Sequence, residues 1–544
     1  MAYLKVVVFA TLIALSAMVK AQPGVAEHPT LAVLIVIDGL PMRQVTAYRD
    51  QLGPNGFRRF LDQGAWFAQA HYGHALTHTA PGHASIVTGA HPRTHGIISN
   101  EWTDPASGQT IYCADDAAHS YIGHPTKKGD GTSPKNLRVE TIGDVLLRTS
   151  PASRVLAVSG KDRGAILPAG RRGTAYMYMG GTGQFASTTW YMKAHPAWVD
   201  AFNNARPADA YLGRVWRPLL MESAYAQSVA DGQPWHALPW RLPVRYGGAR
   251  PDAAFYSSLL PGPFADELTL AFARAAVAGE KLGGRGVTDL LAVSLSGHDY
   301  INHSFGPESR LSHDHVLQLD RMLAAFFEHL DQTVGRGNYV AVLTADHGFT
   351  PTPEWNRTQG RDGGRINPPS LFDRVEAALA ARHGAGPWLL NYSANGMLLR
   401  RDTIAARGLS LDAIAREAAV QMAAEPGMLA ATARADILPN AVADKPLAVA
   451  LARSFDHERS PDIVFIPKPG WILSNRAAGT THGAPHEYDS HVPVMFYGPG
   501  RIGAARIDER IDVTDLAPTL ARLLGIEAPA GAEGRARALP GLEK

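Results

Sequence analysis

Three apolar runs in this 544-residue chain end in groups that bind cations. Leu34-Ile35-Val36-Ile37 leads into Asp38-Gly39, and Val340 to Ala345 leads into Asp346-His347-Gly348. Leu291 to Leu295 is followed by Ser296, then by Asp299 and His303. Short buried apolar runs predict strands. In open parallel sheets ligands bind beyond the carboxyl ends of the strands, so the three clusters are expected to converge. Asp299 and His303 are four apart, which places them on one face of a helical turn. His482, in Thr480-Thr481-His482-Gly483, precedes a further apolar run at 492–497. Asp and His without Cys make an oxygen and nitrogen donor set suited to zinc. One Asp after a strand is most often a turn or cap residue. Three such clusters together point to a metal-dependent site. His298, beside Asp299, reads as a structural histidine from the residues alone.

The segment Thr77 to Gly89 has the marks of a helix start, with Thr79 fitting the N-cap and Pro81 the first turn. Such an end presents free N–H groups and positive potential, which favour an anion. A threonine hydroxyl there could attack a phosphoryl group if a metal lowers its pKa.

The elements that must carry these residues are predicted from apolar patterning. Strands are expected at Leu31–Ile37, Val155–Val158, Leu290–Leu295, Tyr339–Leu343, Ile463–Ile466 and Val492–Tyr497. Helices are expected at Val139–Leu147, Phe264–Ala278, Val316–Leu330 and Leu516–Leu524. The alternation implies an α/β fold, a mostly parallel sheet sandwiched by helices. Residues 170–260 and 353–475 break the alternation and are expected as lobes inserted into one catalytic domain spanning 22–544.

The single cysteine, Cys113, excludes a disulfide scaffold and any cysteine-built zinc finger. Lys and Arg total 52 against 50 Asp and Glu, so the net charge of +2 gives no nucleic-acid footprint. Apolar residues at 45% exclude wholesale disorder. Met1 to Ala21 reads as an export signal: Lys5, an apolar stretch from Val6 to Val19, then Ala21 before Gln22. The stretch is shorter than the roughly 20 residues a membrane span needs. The expected product is a periplasmic or secreted protein with no membrane attachment after signal removal.

With Asp38-Gly39, Thr79 with Pro81-Gly82-His83, Asn100 in Gly96 to Trp102, Lys161-Asp162-Arg163, Asp299 with His303, Asp346-His347-Gly348 and Thr481-His482-Gly483 in this order, the chain resembles the alkaline phosphatase superfamily. The order is similar to that of the monomeric, PafA-type alkaline phosphatases, which carry a threonine nucleophile. The resemblance implies two zinc ions. One would be held by Asp38, Asp346, His347 and the Thr79 oxygen, the other by Asp299, His303 and His482. It implies that Asn100, Lys161 and Arg163 contact the phosphate. Asn302 departs from the glycine common before the second-site histidine. His298 stands where a small hydroxyl residue is usual in the family, which makes it an alternative ligand. The reading is an exported alkaline phosphatase, a monomer, acting on small phosphate monoesters through a phosphothreonine. The alternatives are a nucleotide pyrophosphatase/phosphodiesterase of the same superfamily and a non-catalytic metal- or phosphate-binding protein. A sulfatase is disfavoured, because Thr79 is not followed by the Cys/Ser-x-Pro-x-Arg pattern such enzymes resemble.

Overall fold

A computed structural model describes residues 28–248, 250–439 and 444–542. The export signal read at 1–21 lies outside the described residues. Among those described, no helix is long and apolar enough to cross a membrane.

The main sheet has nine strands: β1 Leu31–Ile37, β2 Ala65–His71, β3 Val155–Ser159, β4 Thr174–Met179, β5 Gln184–Ala186, β6 Asp289–Leu295, β7 Tyr339–Thr344, and, after the lobe strands β8–β11 given below, β12 Val494–Tyr497 and β13 Ala505–Asp512. Their order is β13-β2-β12-β7-β1-β6-β3-β4-β5, and only β12 and β5 run against the rest. Every residue of β1, β6 and β7 is buried. That explains their largely apolar sequences, since a central parallel strand is covered on both faces. The register pairs Val36 with Thr344 and Ile37 with Leu295. Asp38 and Asp346 therefore leave their strands side by side.

The helices that matter to the site are α1 Thr79–Thr88, α2 Asp162–Ala169, α3 Pro263–Glu280, α4 Gly297–Phe305 and α5 Arg310–Leu330. α1 is buried along its whole length. Gly82 lets it lie against the loop after β7: a Cβ there would come within 2.0 Å of the Asp346 carbonyl oxygen. Gly348 does the same on the other side, where a Cβ would meet the Tyr488 carbonyl oxygen at 2.1 Å.

A second, antiparallel sheet lies in the 353–475 segment. Its strands are β8 Leu389–Ser393, β9 Gly396–Leu399, β10 Met428–Ala433 and β11 Ile463–Pro467, in the order β8-β9-β11-β10. The helices Pro368–His383 and Leu411–Ala423 cover it, and Trp388, Met397, Ile414 and Phe465 are buried in a cluster of its own. The run at Ile463–Ile466 is thus a strand of this lobe and not of the main sheet. A buried run gives no information about which sheet it joins.

Residues 170–260 differ from the expectation of a wholly inserted lobe. They open with β4 and β5, which extend the main sheet from β3. Tyr176, Phe185, Tyr211 and Trp216 are buried in the main core. Thr174-Ala-Tyr-Met-Tyr-Met179 mixes aromatic and apolar residues without the clean run that signals a buried strand. β2 and β13 also escaped the pattern.

Candidate active site

Asp38, Asp299, Asp346 and His347 all converge at the carboxyl ends of β1, β6 and β7. Two clusters form. In the first, the ligand-type atoms of Asp38, Asp346 and His347 lie within 4.8 Å of one another, and in the second those of Asp299, His303 and His482 do. The two touch: the His347 and His482 rings stack with centroids 3.4 Å apart.

The histidine orientations follow from their outer hydrogen bonds. His303 Nδ1 donates to Thr480 O at 3.0 Å, His482 Nδ1 to Thr77 O at 2.7 Å and His347 Nδ1 to Gly348 O at 2.8 Å. A carbonyl only accepts, so each Nδ1 carries a hydrogen and each Nε2 is the ring nitrogen that points inward. His347 Nε2 is 3.4 Å from Asp38 Oδ1, and His303 Nε2 is 3.3 Å from Asp299 Oδ1. Asp38 Oδ1, Asp299 Oδ1 and Asp346 Oδ2 are buried and without a hydrogen bond. Buried carboxylate oxygens left unpaired are costly unless an ion satisfies them. Inward Nε2 atoms, outward-anchored Nδ1 groups and orphaned carboxylate oxygens together fit two metal ions.

Burial pushes the Asp38 carboxyl up, but the Lys161 ammonium and the His347 imidazole together outweigh this and hold it below the usual range. For Asp346 burial and the neighbouring Asp38 charge raise the pKa. Burial disfavours charge on His347, yet Asp346 and Asp38 outweigh it and raise the imidazole to about 9. The site is a concentration of negative charge that calls for cations.

Thr79 is the first residue of α1, and the N-cap is His78, whose side chain makes no cap bond. The N-cap expected at Thr79 is therefore one residue too late. Its hydroxyl is free of the capping bond and lies 3.5 Å from His347 Nε2. Asn100 Oδ1 accepts from Ala80 N at 2.8 Å, which turns its NH2 away from the backbone. Asn100 and Arg163 line a cavity of about 470 Å³ with His78 and His482. Arg163 Nη1 donates to Tyr112 Oη at 3.2 Å, and its Nε is buried without a partner.

Lys161 stands elsewhere. Its Nζ is 2.6 Å from both Asp38 Oδ2 and Asp299 Oδ2, so it bridges the two clusters and is buried behind the cavity wall. Its Nζ also lies 5.0 Å above the Tyr300 ring. His298 is not a ligand. Its Nε2 faces Gln44 Oε1 at 2.8 Å and its Nδ1 faces His315 at 3.2 Å, both away from Asp299. Asn302 donates to Gly39 O at 3.0 Å and accepts from Ser312 Oγ at 2.6 Å, so it ties α4 to the loop after β1.

Two supporting residues escaped sequence reasoning. His83 Nδ1 donates to Thr79 O at 2.9 Å and lies 3.2 Å from Asp346 Oδ2, and its Nε2 faces Ser294 Oγ at 2.8 Å. Asp489 Oδ2 accepts from Gly483 N and Ala484 N, both at 3.0 Å, and so fixes the His482 loop. His83 stands in the Pro81-Gly82-His83 motif singled out above and Asp489 in none, and nothing in a linear sequence shows which site residue either one supports.

This fold, with two carboxylate–histidine clusters beyond the ends of parallel strands and a threonine at a helix start, defines the class. Residues 32–489 match the family of type I phosphodiesterases and nucleotide pyrophosphatases. The chain is 33% identical over 530 residues to alkaline phosphatase PafA of Elizabethkingia meningoseptica, covering 96% of each. It is 34% identical over 542 residues to alkaline phosphatase PhoV of Synechococcus elongatus, covering 95% of this chain and 94% of the other. The crystal structure of wild-type PafA superposes with a TM-score of 0.87 at 32% identity, over 94% of this chain and 98% of that one. The chain belongs to this family, in the group of the PafA-like alkaline phosphatases, and is an enzyme.

Proposed function

We propose that the protein is an exported, two-zinc alkaline phosphatase, a monomer that hydrolyses small phosphate monoesters through a phosphothreonine at Thr79. The single observation that carries this is the pair of Asp/His clusters meeting beside the Thr79 hydroxyl. Asp38, Asp346 and His347, with the Thr79 oxygen, would hold one zinc, and Asp299, His303 and His482 the other. When bound, zinc supplies Lewis acidity and can lower the pKa of an attached water from 15.7 to about 7. Thr79 Oγ1 attacks phosphorus as the ester oxygen departs on the opposite side and takes up a proton. Water then cleaves the phosphothreonine and releases inorganic phosphate. The Asn100 amide and the Arg163 guanidinium donate to the phosphoryl oxygens. The N–H groups at the start of α1 add positive potential for an anion. Lys161 contributes charge from behind, between Asp38 and Asp299.

One observation favours a phosphodiesterase as a second reading. With Lys161 drawn into the carboxylates, fewer cationic donors face the cavity, and a diester carries one less charged oxygen to neutralise.

The test is metal analysis with steady-state kinetics on one monoester and one matched diester. About two zinc ions per chain, loss of activity on chelation, recovery with zinc and a preference for the monoester are expected. Full activity in metal-free protein would overturn the zinc assignment, and a faster diester reaction would favour the second reading.

A further inference from the structure

The larger of the two cavities at the site, about 910 Å³, is not the one that holds Asn100 and Arg163. It lies between the main body and the antiparallel lobe. His303 of the second cluster stands on its wall, and it shares Tyr392, Leu473 and Thr481 with the smaller cavity. Two chambers thus adjoin, one beside His303 and the other beside His482. The smaller one carries the groups that donate to phosphoryl oxygens.

Resting on the phosphatase reading, in-line displacement places the leaving oxygen on the side away from Thr79. The cavity beyond His303 is then where the alcohol half of the ester goes. Its walls are not those of a general anion site. Tyr300 supplies an aromatic surface from α4, and Phe372 and Tyr392 supply two more from the lobe. Leu238 and Leu390 are apolar neighbours of these rings. The volume lies in the range of pockets that bury drug-sized ligands. Arg476 is exposed at the rim and makes no ion pair among the described residues. A guanidinium there can lie flat on a ring or meet its acceptor atoms.

We propose that this cavity is a leaving-group subsite for phosphate monoesters whose alcohol carries a flat aromatic ring system, with Phe372, Tyr392 and Tyr300 as its stacking surfaces and Arg476 at its mouth. The lobe is then a specificity element, because Phe372 and Tyr392 reach the ester only through it. Small aliphatic esters still react, since the phosphoryl contacts lie in the other chamber, but they leave the large chamber to water.

The test compares AMP with ribose 5-phosphate, two esters with the same reacting carbon and the same sugar. The intrinsic leaving-group reactivity is then matched, and the ratio of kcat/KM reads the ring alone. AMP is expected to be favoured by about tenfold, mainly through KM, on the scale of base–aromatic stacking. Phe372→Ala should bring the ratio close to one, and Phe372→Trp should restore it. Phe372 also packs on the lobe core. Arg476→Ala, on an exposed side chain, is therefore the second variant and should lower the ratio severalfold. Equal kcat/KM for the two esters in the wild type would overturn the subsite and leave the phosphatase reading standing. So would a ratio that neither variant moves. Hydrolysis of neither ester would overturn the phosphatase reading and the subsite with it.

Discussion

The Thr79 hydroxyl sits at the start of α1 without a capping duty, next to the Nε2 of His347. Thr79→Ser keeps the hydroxyl and should retain substantial activity, whereas Thr79→Ala should lose most of it. Mass spectrometry of enzyme quenched during turnover should place the phosphate on Thr79; phosphate on Thr77 or Ser85 instead would refute the assignment. Lys161 and Arg163, two residues apart, do different things. Arg163 lines the cavity, and Lys161 links a carboxylate of each cluster. A hydrogen bond to a charged group is worth roughly 1.5–3 kcal/mol, so losing Arg163 should cost about 10- to 150-fold in kcat/KM for a monoester. Lys161→Ala should in addition leave Asp38 and Asp299 facing each other and disturb metal content, which Arg163→Ala should not. Identical metal content in both variants would contradict this division. The two Asp/His clusters were legible in the sequence because Asp and His directly after an apolar strand have few other reasons to recur. The placement of Lys161 was not, because a flexible four-carbon side chain reaches well beyond its own loop.

α4 carries Asp299 and His303, and its start is gripped by a buried acid. Asp266 of α3 accepts from Gly297 N at 3.0 Å with one oxygen and 3.2 Å with the other. Burial raises the Asp266 carboxyl to about 7, against the hydrogen bonds that lower it. An unfolded chain would release that proton near pH 3.9. Between these values the folded state binds one proton more than the unfolded state. Stability therefore falls as pH rises through the window, by up to roughly 1.4 kcal/mol per pH unit, and levels off above it. Asp266→Asn keeps an acceptor oxygen and should flatten the slope by one proton. Urea unfolding from pH 4 to 7.5 reads this directly, and an unchanged slope would contradict it. Leu31–Ile37 and Leu516–Leu524 coincide with the observed β1 and final helix, whereas α2 and α4, which carry Arg163, Asp299 and His303, were not predicted. The outer strands were harder. In β13 most side chains face solvent, so Ala505–Asp512 is charged along its length and shows no apolar run.

Across the whole molecule, the body and the lobe have separate cores, joined by a small cluster in which Leu76 meets Leu451, Val464 and Ile466. Leu76 stands just before Thr79, so the lobe packs against the segment that leads into α1. Export makes a prediction at this scale. The N-terminus of protein recovered outside the cytoplasm should begin near Gln22, and added thiol should leave stability unchanged, since Cys113 is buried and single. An intact Met1 in exported protein would contradict the signal reading. The residues of the two clusters are also ordered along the chain. Asp38, Asp346 and His347 all precede the lobe in sequence, and His482 follows it. A polypeptide that emerges from its N-terminus gathers the first cluster before the lobe exists and completes the second only after the lobe has been made. Assembly of the centre is thereby ordered in time: a chain cut short within the lobe can own one complete cluster but never both.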